Sequence, residues 1–223
     1  MFFAEKITLI HPQDKVLEIG PGSSPHPRSN AFLELDFESS EEMITQRGGT
    51  VKEPDFSSKP VHYYDGGEFP FQDNQFNYVI CSHVLEHVPD PGLFLNEVFR
   101  VGAGRGYIEY PLATYEYLYG FDVHLHFLKF DSEKQVLSYL PKRDTSFAEF
   151  AAVTALLNKT LEFGWDDLCA ANKKLFFEGF EFNQPFTVEK TAELCSLLPS
   201  QSLIVHKRPV RKILTRILNR MGL

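Results

Sequence analysis

Gly20 and Gly22 close the run Lys15-Val-Leu-Glu-Ile-Gly-Pro-Gly22. Val16, Leu17 and Ile19 are apolar over a stretch too short for a helix, so the run reads as a strand that opens into Gly-x-Gly. Glycines there permit positive φ and let a ligand approach the backbone closely. A second apolar run, Ala31-Phe-Leu-Glu-Leu-Asp36, ends in a carboxylate able to accept two hydrogen bonds from ribose hydroxyls. The pair predicts the opening of a nucleotide-cofactor site. A dinucleotide is a poor fit, because Pro25 stands where a Gly-x-Gly-x-x-Gly fingerprint needs its last glycine, and no helix start follows to take a pyrophosphate.

Histidines supply the acid–base chemistry. His83 ends the apolar run 76–82, where an imidazole of near-neutral pKa can take a proton from a hydroxyl, or else simply pack beneath a cofactor. His87 follows in Leu85-Glu-His-Val88. Asp122, His124 and His126 alternate, which puts all three on one face of an extended segment and offers a metal site, a proton relay or only a pocket wall. No metal is assigned on this pattern. Tyr110, Tyr115, Tyr117 and Tyr119 give either an aromatic wall for a sugar or ring, or core cover.

The strand with Gly-x-Gly is followed by Asp65-Gly-Gly, then Phe76-Asn-Tyr-Val-Ile-Cys-Ser-His-Val-Leu-Glu-His-Val88, Phe94-Leu-Asn-Glu-Val-Phe-Arg-Val101 and Gly106-Tyr-Ile-Glu-Tyr-Pro111. In this order and spacing, over roughly residues 14 to 140, the chain resembles the class I S-adenosylmethionine-dependent methyltransferases, in particular the small-molecule "type 11" group. The resemblance implies an α/β fold, a Rossmann-like three-layer αβα sandwich with a mostly parallel seven-stranded sheet. It implies S-adenosyl-L-methionine as cofactor, with Glu18, Gly20 and Gly22 along methionine and ribose, and Asp36 on the ribose hydroxyls. Asp65 would face the adenine amino group with Gly66 also at the cofactor, and the backbone at Cys81, Ser82 and His83 would lie near the transferable methyl. His83, His87 and His124 are the catalytic candidates, although His87 in this motif also serves to stabilise a turn. Ser24 stands where the family often has a third glycine.

These residues need a framework of strands near 15–20, 31–36, 61–64, 76–82 and 105–110, with helices near 39–47 and 91–100 between them. Leu93, Leu95, Val98 and Phe99 give the second helix an apolar face for the sheet. Between Gly22 and Phe32 the chain is too short and Pro-rich for a full first crossover helix. An aromatic-rich insertion at 112–130, which the resemblance implies is part of an acceptor pocket, precedes a helix near 131–140 capped by Asp131. Further helices are expected at 147–162 and 165–174, with closing strands at 176–182 and 202–207.

A chain of 223 residues suffices for one α/β domain, taken as 1–206, followed by a tail. That tail, 207–223, holds six of the 22 Lys and Arg and no acid, leaving 16 positive against 30 negative charges elsewhere. An acidic body disfavours nucleic acid as partner. The tail reads as a basic amphipathic helix for an anionic membrane surface, for its own domain or for a homodimer partner. Nothing approaches about 18 consecutive apolar residues, no signal peptide is evident, and Cys81, Cys169 and Cys195 lack metal or disulfide spacing, so a cytoplasmic location is expected. The expected function is methyl transfer, favouring O-methylation, to a small-molecule or glycan-type acceptor. A catalytically inactive binding or scaffold protein of the same fold is the alternative.

Overall fold

The computed structural model describes residues 1–36, 42, 44, 55–158, 169 and 171–198. Its main sheet is built from β1 (Val16–Ile19), β2 (Ala31–Leu35), β3 (Val61–Tyr64), β4 (Tyr78–Ser82), β5 (Gly106–Pro111) and β8 (Phe177–Phe182). The order is β3-β2-β1-β4-β5-β8, parallel throughout except that β8 runs antiparallel to β5. The mostly parallel Rossmann-like sheet is present, with six strands among the described residues where seven were expected.

Alternation along the strands assigns the two faces. Leu17, Ile19, Val79, Cys81, Ile108 and Tyr110 join one core with α1 (Pro91–Val101). Val16, Tyr78, Ile80 and Tyr107 point the other way, against Phe3, Tyr119 and Phe176. Asp90 starts α1 by accepting hydrogen bonds from the Gly92 and Leu93 amides, with Pro91 in the first turn. Leu93 was expected on the buried face; it is 67% exposed, and Phe94 takes its place. At the end of α1, Arg100 donates to the carbonyls of Phe69 and Phe71 and pairs with Glu97 and Asp73, pinning the loop before β4. Arg100→Ala is expected to lower stability by about 1–3 kcal/mol in urea unfolding, because two buried-side carbonyls and Glu97 lose a charged donor.

No helix occupies the first crossover. Residues 20–30 form turns, held by Glu18, whose Oε2 accepts the His26 amide at 2.8 Å and the Ser29 hydroxyl at 2.7 Å. Asn30 completes the return by exchanging hydrogen bonds with the Val16 backbone.

The expected helix at 131–140 is a hairpin, β6 (His126–Asp131) and β7 (Val136–Pro141), joined in parallel by β9 (Thr187–Lys190) in a separate three-stranded sheet. Asp131 does accept two amides, from Glu133 and Lys134, but these close a turn rather than start a helix. Leu128, Phe130 and Leu137 carry this small sheet onto the same core as α1. The insertion itself contains α2 (Ala113–Tyr119), ended by Gly120 in a left-handed conformation. Beyond it lie α3 (Ala151–Asn158), inside the helix expected at 147–162, and α4 (Lys173–Phe176), which only overlaps the end of the one expected at 165–174; residues 159–168 and 170 lie outside the described residues.

Among the described residues no helix is long and apolar enough to cross a membrane. Cys81 and Cys169 are buried and Cys195 is exposed, all as free thiols. The tail 207–223, the strand expected at 202–207 and most of the helix expected at 39–47 lie outside the described residues.

Candidate active site

The carboxyl ends of β1, β2, β3 and β4 open into a cavity of about 1400 Å³. This is where open parallel sheets bind ligands, at the point where strand order reverses, here between β1 and β4. Gly20 turns the chain out of β1 with φ +57°, and a β-carbon there would lie 2.6 Å from Val84 Cγ2. Gly22 borders open space and Gly66 takes φ +93° in the loop after β3, so both glycine loops present backbone to the cavity.

Of the sequence-assigned residues, Glu18, Gly20, Gly22, Asp65, Gly66, Ser82, His83, His87 and His124 all line the cavity. Cys81 is buried in the core beneath it, its thiol pushed up by burial and then by the charge of Glu86. Asp36 sits exposed at the rim, next to the lining residue Leu35, while Glu34 is in the wall. Asp65 Oδ1 accepts the Gly67 amide at 3.1 Å, which shapes its own loop. Glu18 is buried; burial raises its pKa, against the Ser29 and His26 hydrogen bonds.

At the end of β4, His83 enters the left-handed region at φ 57° and aims its ring back into the molecule. Its Nε2 lies 3.0 Å from Glu109 Oε1 and its Nδ1 lies 3.4 Å from Glu86 Oε1. Burial alone would lower its pKa, but the Glu109 hydrogen bond and the Glu86 carboxylate outweigh it and hold His83 at about 9. Glu109 and Glu86 are held reciprocally near 2, each by His83 against the effect of burial. Both ring nitrogens of His83 thus face carboxylates, an arrangement that favours the imidazolium; the sequence had left open a base or a ring packed beneath a cofactor. His87 differs. Burial lowers its pKa, and its buried Nδ1 has no hydrogen-bond partner among the described residues.

Glu109, fully buried in β5, gathers more than His83. It accepts the Phe2 amide at 2.7 Å, the Phe3 amide at 2.9 Å, the Tyr107 hydroxyl at 2.6 Å and the Ser82 hydroxyl at 3.1 Å. The N-terminal residues are thereby drawn across the site, with Phe2 stacked on Phe177 at 3.9 Å and edge-on to His83. Glu109 was not singled out from sequence; a lone acid inside the apolar strand Gly106–Pro111 was the available signal.

The period-2 trio is not brought together. Asp122 is exposed, and His126 turns inward with Nε2 on the Val88 carbonyl at 2.9 Å. His124 instead meets His87, ring centroids 4.6 Å apart, and its Nδ1 lies 2.6 Å from Glu116 Oε1. Glu116, also fully buried, takes Lys142 on its other oxygen. Of the four tyrosines only Tyr115 lines the cavity, joined by Phe2, Phe121 and Phe177; Tyr110 and Tyr119 are core, and Tyr117 stacks on Phe127.

Residues 17–110 match the family described as "Methyltransferase domain". That stretch, less than half of the chain, is similar to a methyltransferase domain. Relatives include the demethylmenaquinone methyltransferases of Listeria welshimeri and Listeria monocytogenes, each 39% identical over 67 residues, or 30% of this chain. The chain spans about 28% of the length of the first of these and 27% of the second. Solved structures similar to it include an S-adenosylmethionine-dependent methyltransferase from Methanosarcina mazei, at 19% identity and TM-score 0.33, covering 56% of this chain and 69% of that one. Another, from Mesorhizobium loti, shows 12% identity and TM-score 0.33, covering 58% and 57%. Within the matched stretch, the glycine loops after β1 and β3 both present backbone to the cavity. The cavity also exceeds the roughly 300–1,000 Å³ usual for one ligand.

Proposed function

We propose that the chain is an S-adenosylmethionine-dependent methyltransferase acting on an oxygen of a small ring-containing acceptor. One observation carries the reading: a single cavity joins the glycine loops of β1 and β3 to a wall of Phe2, Tyr115, Phe121 and Phe177, with histidines between them. Such a volume accommodates donor and acceptor together, and the aromatic wall suits stacking on a ring, whether phenol, quinol or sugar. The activated sulfonium needs an aligned acceptor and exclusion of water more than covalent help. In the transfer, the acceptor oxygen forms a bond to the methyl carbon as the carbon–sulfur bond breaks, and the electron pair returns to sulfur. The hydroxyl proton goes to His87, which lines the cavity beside His124; His83, ion-paired with Glu109, orients the loop.

The first test is calorimetric titration with S-adenosylmethionine and S-adenosylhomocysteine, with NAD as control. Micromolar binding of the first two and none of NAD is expected. Asp36, exposed next to the lining residue Leu35, is the proposed ribose ligand, so Asp36→Ala is expected to weaken binding about tenfold or more, as for a lost hydrogen bond to a charged group. Glu34→Gln serves as the second arm. A loss there with Asp36→Ala unchanged would move the ribose contact to Glu34, and no binding of either sulfur ligand would end the methyltransferase reading.

A further inference from the structure

We infer that Glu86, His87 and His124 form a binding site for one divalent first-row transition ion, opening onto the acceptor side of the cavity. A carboxylate oxygen of Glu86 and one ring nitrogen from each histidine lie within 4.8 Å of one another. A point therefore exists within about 2.8 Å of all three, and inward movement of about 0.7 Å brings them to the roughly 2.1 Å of imidazole and carboxylate coordination. Two nitrogens and one oxygen suit zinc, cobalt or iron(II) better than magnesium or calcium, which prefer all-oxygen shells.

Two further observations point to a ligand. The Glu86 side chain is fully buried, and the His83 ion pair, with Nδ1 at 3.4 Å, offsets its charge, yet among the described residues neither of its oxygens accepts a well-formed hydrogen bond. Burying a carboxylate in this way is costly unless something else satisfies it, and the orphaned His87 Nδ1 beside it has the same deficit. Independently, His124 is already held as metal-bound imidazoles are held. Its Nδ1 engages the buried Glu116 carboxylate, itself anchored by Lys142, which fixes the ring and leaves Nε2 for coordination. Three protein ligands leave at least one position open, as in catalytic rather than structural sites.

The ion's role at the acceptor rests on the methyltransferase reading. Bound there, it would hold the acceptor oxygen and lower the pKa of its hydroxyl, and His87 would then act as a ligand instead of a base. The binding site itself stands apart from that reading.

The test uses the full chain, freed of metal by chelation, titrated with Co²⁺ and followed by visible absorption, with Zn²⁺ competition. One Co²⁺ per chain, displaced by Zn²⁺, is expected. Glu86→Gln and His124→Asn should abolish the signal, and Glu116→Gln should weaken affinity about 10–100-fold. Circular dichroism and urea midpoint on each sample report whether the variant is folded; if Glu86→Gln is not, His124→Asn, on a half-buried ring, decides. Absence of Co²⁺ binding, or binding unchanged in a folded variant, overturns the site. Co²⁺ binding without S-adenosylhomocysteine binding would keep the site and remove the methyltransferase reading.

Discussion

Glu109→Ala is expected to lower the free energy of unfolding by about 3–5 kcal/mol, the scale for removing one partner from a buried charged network. The substitution strands several groups at once. The His83 imidazolium loses its 3.0 Å partner, while the Phe2 and Phe3 amides and the Tyr107 hydroxyl lose their acceptors at a fully buried position. Against a total stability of about 5–15 kcal/mol, this is enough to leave a large unfolded fraction in a domain of ordinary stability. Glu109→Gln keeps an acceptor oxygen but not the charge, so a smaller loss of about 1–3 kcal/mol is expected. Urea unfolding of the three proteins measures both. A Glu109→Ala loss below about 1 kcal/mol would mean that the network is not a principal tie between the N-terminal residues and the sheet.

Gly20→Ala is expected to weaken S-adenosylhomocysteine binding at least tenfold. Two separate effects act on it. The left-handed conformation at φ +57° costs a residue with a β-carbon about 1–2 kcal/mol, and the new atom would sit 2.6 Å from Val84 Cγ2. Relief of either moves the Gly20 turn or the Val84 side chain, and both line the cavity. The double variant Gly20→Ala/Val84→Ala separates them: removing Cγ2 should recover the part due to collision and leave the part due to backbone conformation. Calorimetry on the two single variants and the double variant closes the cycle. Unchanged affinity in Gly20→Ala would take the β1 turn out of the cofactor site.

The strands and the glycine turns were legible because their signals are local. Largely apolar runs of four to seven residues bounded by turn residues predicted β1 to β5, and the Pro-rich stretch after Gly22 predicted that the first helix is reduced or lost. The hairpin at 126–141 was not, because an Asp that accepts the amides two and three residues ahead reads alike at a helix start and in a turn. Pairing with the distant β9 decided between them.

Residue type and spacing alone determined the parallel sheet, the glycine turn at the end of β1 and the presence of histidines after β4. Tertiary structure decided what those histidines are. His83 was open to reading as a base or as a ring packed beneath a cofactor, but Glu109 from β5 and Glu86 from the following turn, 26 and 3 residues away, favour its imidazolium. His124 was grouped with Asp122 and His126 by an alternation that fails at the loop before β6, and it meets His87 and Glu116 across the fold instead. Protonation and ligand set depend on which charges lie within a few ångströms, and sequence separation carries no information about that distance until the chain has packed.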